Sequence, residues 1–181
     1  MKFLNTEIHG IKIIEHLVNN DSRGFFVETY RQDLFQKNLL GKYSFCQENI
    51  VKSSKMVLRG LHFQTNQSSQ SKLITVLNGE ILDVAVDMRK NSETFGKYFK
   101  IRLCSESKKS IFIPKGFAHG YLSLKDDTIV NYKVDNFYNP KHQKGIIYSD
   151  PKLNINWEYN HSDFIISKRD KNLPYFDEYK S

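Results

Sequence analysis

Between residues 11 and 134 the chain reads as a series of short β-rich runs, and that pattern narrows the fold more than any other feature. The runs fall at 11–14, 24–30, 45–51, 57–61, 72–77, 80–88, 98–103, 110–113, 120–124 and 129–134. Turn residues separate them at fairly even spacing. Many short strands of this kind predict an all-β sandwich or barrel. Within 80–88, Ile81, Asp83, Ala85 and Asp87 alternate with Leu82, Val84, Val86 and Met88, a period of two with one apolar face. Asn78-Gly79 stands between that run and 72–77. Asn-Gly is a strong hairpin signal because both turn positions take positive φ, so the two runs are expected to pair. Helix is scarce. Residues 31–39 have a helical pattern with Leu34, Phe35 and Leu39 on one side, and a short helix is expected near 167–172.

The rest of the composition bounds the class. The chain has 181 residues, of which 39% are hydrophobic and 26% charged, a globular profile that fits one domain over 1–181. No repeat, low-complexity tract or Pro/Gly linker divides it. The net charge of +7 suits either nucleic acid or a small anionic ligand such as a diphosphate. The positive residues do not form a block. Their longest stretches are pairs such as Lys108-Lys109 and Lys168-Arg169, which argues against nucleic acid. No run approaches the ~18 apolar residues of a membrane span. Residues 1–10 carry Glu7 and His9 and no apolar run, so no signal peptide is expected and the cytoplasm is the expected compartment. Cys46 and Cys104 are expected to be small buried thiols.

Two segments carry chemistry. In Arg59-Gly60-Leu61-His62-Phe63-Gln64, a regular strand would point Arg59 away from His62. A bend at Gly60 would let both reach one pocket, whereas without it His62 is a structural histidine beside a surface arginine. In Pro114-Lys115-Gly116-Phe117-Ala118-His119-Gly120, a Pro-x-Gly turn leads a histidine into a strand, which resembles one half of the cupin pattern. Many cupins hold a metal through His-x-His, a carboxylate and this later histidine. Here His62-Phe63-Gln64 lacks the second histidine, and Gln67 and Gln70 are poor substitutes for the acid, so no metal is expected.

Longer motifs make the resemblance specific. They are Asp21-Ser22-Arg23-Gly24-Phe25-Phe26-Val27-Glu28, Gln47-Glu48-Asn49, Leu58-Arg59-Gly60-Leu61-His62-Phe63-Gln64 and Lys72-Leu73. The run 79–87, the run 113–120, Tyr132-Lys133 and Ser167-Lys168-Arg169-Asp170 continue the series, so that the match covers roughly residues 3 to 176. The sequence is similar to the dTDP-4-dehydrorhamnose 3,5-epimerase family. The resemblance implies a cupin-like double-stranded β-helix, a jelly-roll barrel with a few short helices. It also implies a homodimer that takes a nucleotide-diphosphate sugar and uses neither metal nor nicotinamide.

That family inverts stereocentres beside a ketone. Inversion needs a base on one face, an acid on the other and a donor for the enolate oxygen. By resemblance His62 is the base, since an imidazole titrates near working pH, and Asp170 orients it. Tyr132 is the acid, a phenol protonated at neutral pH. Lys72 stabilises the enolate, although a lysine opening an apolar strand is otherwise a snorkelling edge residue. Arg23 and Arg59 match diphosphate ligands. Phe26, Glu28, Gln47, Asn49, His119 and Lys168 match further nucleotide or sugar contacts, and Tyr138 matches a stacking aromatic. Gln143 stands where thymidine-type members commonly carry Glu, and an amide donates where a carboxylate only accepts. Substrates therefore divide between a dTDP-4-keto-6-deoxyhexose and a GDP-linked 4-keto-6-deoxy-heptose, with inversion at one carbon or two. A related keto-isomerase and a non-catalytic sugar-binding cupin are weaker alternatives. The first lacks the His62 and Tyr132 arrangement, and the second would lose base or acid.

Overall fold

The structure is a computed structural model that describes residues 1–39, 41 and 43–179. Its strands are β1 (Lys2–Asn5), β2 (Lys12–Glu15), β3 (Val18–Asp21), β4 (Gly24–Val27), β5 (Gln47–Ser53), β6 (Val57–Gln64) and β7 (Lys72–Asn78). They continue as β8 (Glu80–Asp87), β9 (Tyr98–Cys104), β10 (Lys109–Ile113), β11 (Phe117–Ser123), β12 (Thr128–Val134), β13 (Gln143–Gly145) and β14 (Ile165–Ile166). One α-helix, α1 (Gln32–Asn38), and several single 3-10 turns complete the described residues. One sheet runs β1-β2-β10-β7-β12-β5, the other β13-β6-β11-β8-β9 with β14 parallel to β6, and β3–β4 form a separate hairpin.

The two large sheets close over an apolar interior. Ile74, Val76, Ile111, Ile113 and Val130 of the first sheet meet Ile81, Ala85, Leu103 and Tyr121 of the second. Burying each of the Ile, Leu and Val side chains contributes about 1.5–3 kcal/mol, which sets the sheets face to face. This is the jelly-roll barrel expected of the sequence.

The Asn-Gly turn does not make a hairpin. β7 pairs with β10 and β12, whereas β8 pairs with β11 and β9, so Asn78-Gly79 is a corner between sheets. Gly79 takes φ +81°, but Asn78 stays in β7, and a hairpin turn of the expected type needs positive φ at both. A Cβ on Gly79 would fall 2.4 Å from Thr128 Oγ1, so the corner packs tightly on β12.

β8 also departs from one apolar face. Leu82, Val84 and Val86 pack outward under Ile146, Leu153, Ile155 and Trp157 of the C-terminal segment. The opposite face is buried as well, including Asp83 and Asp87. Asp87 is neutralised by Arg89 and accepts from Ser92 and Thr94. The pattern reads the pleat correctly but cannot show that a later segment covers the second face.

On the outer face of the first sheet, Phe35 and Leu39 pack over Ile14, Leu73 and Phe112, so the expected helix forms and buries its apolar side. The helix expected at 167–172 is a single 3-10 turn, Asp170–Asn172. Cys46 is exposed and Cys104 half-buried, against the expected burial of both. Cys46 precedes β5, where its thiol donates to the Val134 carbonyl at 3.7 Å at the barrel's edge. Among the described residues no helix is long and apolar enough to cross a membrane.

Candidate active site

A cavity of about 630 Å³ opens between the sheets, and two glycines shape its wall. Gly60 has φ +123°, and a Cβ there would meet Gly120 Cα at 2.6 Å; a Cβ on Gly120 would meet the Arg59 carbonyl at the same distance. β6 and β11 therefore touch backbone to backbone. Their register shifts at this point. Three steps along β6 from Arg59 to His62 span two along β11 from Tyr121 to His119. The extra residue is a β-bulge, and it reverses the alternation so that Arg59 and His62 both line the cavity.

His62 Nε2 lies 2.8 Å from Asp170 Oδ1. A carboxylate only accepts, so Nε2 carries the proton and the free lone pair is on Nδ1. The Gly60 amide donates to Asp170 Oδ2 at 3.2 Å, so the bulge also fixes the acid. Burial pushes the Asp170 carboxyl up, but the His62 hydrogen bond, the His62 charge and the Gly60 amide outweigh it and hold the group below the usual carboxylate range.

Lys72 opens β7 on the facing sheet, and its ammonium donates to the His62 carbonyl at 3.2 Å. Desolvation brings this half-buried amine down to about 8, with Asp83 acting in the opposite direction. Tyr132 of β12 lines the same cavity next to Ile74. Burial raises its phenol above the ordinary value against the pull of Arg59. His119 Nε2 donates to Asp83 Oδ2 at 2.8 Å, and burial lowers the ring while Asp83 opposes.

At the rim the Tyr138 hydroxyl donates to Gln143 Oε1. The Tyr138 amide donates to Gln47 Oε1 at 3.2 Å, and Gln47 Nε2 to Asn49 Oδ1 at 3.1 Å. Arg59 Nε donates to Ser53 Oγ at 3.1 Å.

Not every expected ligand is at this cavity: Gln47 and Asn49 do not line it and reach it only through the Tyr138 amide. Arg23 is paired with Asp21 at 2.6 Å in the β3–β4 hairpin, Phe26 is 67% exposed beside it, and Glu28 lies 3.9 Å from Arg31. Lys168 is exposed, and its neighbour Arg169 lines the cavity instead. Sequence reasoning missed Arg169, Tyr121 and Asp83. Asp83 carried no local signal, because its face of β8 alternates with the apolar one and is buried only by the sheet packed against it. Among the described residues no group of three or more His, Cys, Asp or Glu side chains is placed to ligate a metal.

A jelly-roll barrel with a histidine on one sheet, held by an aspartate from a C-terminal turn, and an amine and a phenol on the other sheet defines a cupin-fold enzyme arranged for proton transfer. The family model described as dTDP-4-dehydrorhamnose 3,5-epimerase matches residues 5–178. The chain belongs to the dTDP-4-dehydrorhamnose 3,5-epimerase family, whose members are isomerases. It is 46% identical over 172 residues to the dTDP-4-dehydrorhamnose 3,5-epimerase of Methanothermobacter thermautotrophicus, covering 94% of this chain and 92% of that one. The crystal structure of the same-named enzyme from Elizabethkingia anophelis superposes with a TM-score of 0.95 at 41% identity, over 100% of this chain and 99% of that one. A dTDP-6-deoxy-D-glucose-3,5-epimerase from Legionella pneumophila, solved in complex with dTDP-4-keto-L-rhamnose, gives a TM-score of 0.93 at 39% identity, over 97% of this chain and 93% of that one.

Proposed function

We propose that the chain, working as one domain over residues 1–181, converts dTDP-4-keto-6-deoxyglucose to dTDP-4-keto-rhamnose by inverting carbons 3 and 5. His62 removes the proton beside the ketone through Nδ1, and Asp170 stabilises the imidazolium that forms. The Lys72 ammonium holds the enolate oxygen, where the new charge appears. Tyr132 returns a proton from the opposite face, which is what makes the result an inversion. No metal or nicotinamide enters these steps.

The single observation that carries this reading is that His62 and Tyr132 belong to different sheets and line one cavity. Arg59 takes the diphosphate at the wall and Tyr138 stacks on the base at the rim, with Gln47, Asn49, His119 and Gln143 as further contacts. Arg23, Phe26, Glu28 and Lys168 stand away from this cavity. We assign the first three to the partner's site in a homodimer and Lys168 to the rim, and we place the enzyme in the cytoplasm. The dTDP names of the relatives support thymine as the base. Gln143 keeps a GDP-linked 4-keto-6-deoxy-heptose as the second reading, because its amide both donates and accepts.

The test is incubation in heavy water with dTDP- and GDP-linked 4-keto-6-deoxy sugars separately. Deuterium at carbons 3 and 5 of the dTDP sugar is expected. Uptake confined to the GDP sugar would move the assignment to the second reading, and uptake from neither would end both.

A further inference from the structure

Asp83 lies on β8, on the face it shares with Ile81 and Ala85. It is fully buried, which for a carboxylate demands compensation. One oxygen, Oδ2, accepts from His119 Nε2 at 2.8 Å. The other, Oδ1, is buried with no hydrogen-bond partner among the described residues. A strand interior is an expensive place for half-satisfied charge, and barrel packing alone would be served by an aliphatic residue there.

The neighbouring amine supplies the reason. Lys72 is the cation of this region that burial discharges most readily, and the acids around it are mostly committed elsewhere. Asp170 serves His62 and the Gly60 amide. Asp135, just past β12, accepts from the Ser71 amide and pairs with Lys115 at 3.4 Å. β6 brings Arg59 and His62 towards the cavity, β11 His119 and Tyr121, and β12 Tyr132, none of which is an acid. β10 packs on β7 through Ile111 and Ile113, which carry no charge. Lys72 reaches the His62 carbonyl, His62 stands opposite His119 across β6 and β11, and His119 holds Asp83, so Asp83 is the acid left beside this amine and its charge acts on Lys72.

We infer that Asp83 is a positioning residue for the reaction: its buried carboxylate clamps the His119 ring through Oδ2 and supplies the fixed negative charge that keeps the Lys72 amine protonated at the ketone oxygen. This rests on the enolate role proposed for Lys72. Asp83 itself touches no substrate. Its hydrogen bond to His119 prevents the carboxylate from turning away, so the charge stays where Lys72 needs it. The arrangement also explains why β8 carries an acid on a face where the sequence pattern alone would read as solvent.

The test is Asp83→Asn, which is nearly isosteric and still offers His119 an oxygen. In protein labelled with 13C at lysine Cε, the Lys72 signal, assigned with Lys72→Met, is followed through pH by NMR. The wild-type midpoint is expected near 8. In Asp83→Asn it is expected to fall by about one unit. The alkaline limb of kcat for deuterium exchange should move down with it. A uniform loss of activity with the Lys72 midpoint unmoved would overturn the inference, because a merely structural defect behaves that way. If Asp83→Asn does not fold, the wild type still decides. Its Asp83 carboxylate carbon should shift through the Lys72 titration, and a flat signal there would refute the link. Wild-type enzyme that exchanges no deuterium from any keto sugar would instead sink the proposed function, while a lowered Lys72 midpoint would still support the electrostatic link.

Discussion

At the scale of single residues, the site is defined by which nitrogen of His62 is free. The 2.8 Å contact with Asp170 fixes the proton on Nε2 and leaves Nδ1 as base. His62→Ala is expected to lower deuterium exchange at carbons 3 and 5 by at least about 100-fold. Mass spectrometry of sugar recovered from heavy water measures this, and an unimpaired rate would remove His62 from the base role. Tyr132→Phe deletes the phenol proton while keeping the ring that packs beside Ile74. Inversion should slow more than proton abstraction, so deuterium wash-in with retained configuration should exceed product formation. Equal slowing of both would argue against Tyr132 as the acid. These residues were legible only through motif resemblance. Taken alone, Tyr132 is one of 10 tyrosines and Asp170 one acid in a basic tail.

At the scale of elements, the decisive device is the bulge where β6 meets β11. Gly60 and Gly120 allow the strands to approach, and the extra residue on β6 turns Arg59 onto the face that His62 occupies. Gly60→Ala is expected to destabilise the fold by about 1–3 kcal/mol, since φ is +123° and the new Cβ meets backbone. Urea unfolding measures the loss. The same change should lower activity in the fraction that remains folded, because Gly60 also donates to Asp170. A variant with wild-type stability and rate would mean that the strand spacing is not needed. The sequence raised the bend at Gly60 as one of two readings, and it could not choose, because the choice depends on β11, some 60 residues away. Asn78-Gly79 failed as a hairpin signal for a related reason. The dipeptide reports local backbone freedom, and the partners of β7 and β8 are set by the barrel.

At the scale of the whole molecule, the β3–β4 hairpin stands apart from both large sheets, with Phe25 57% and Phe26 67% exposed. Exposed aromatics on an outlying ribbon fit a second copy better than water. If Arg23 completes the partner's site, Arg23→Ala and His62→Ala should complement. Each variant alone should be impaired, and after mixing under conditions that exchange subunits the heterodimer holds one intact site. Partial recovery of activity is expected. Sedimentation of a monomer, or a mixture no better than its parts, would place the hairpin's role within one chain.

By itself the sequence determined the all-β class and the pleat of β8, because these follow from side-chain type and periodicity within a few residues. Through its motifs it also determined the family. Only the tertiary structure decided which strands pair, that Asp83 and Asp87 lie buried, and that Arg59 and His62 share a face. Those outcomes depend on contacts between segments far apart in the chain, and no local pattern contains the partner's position.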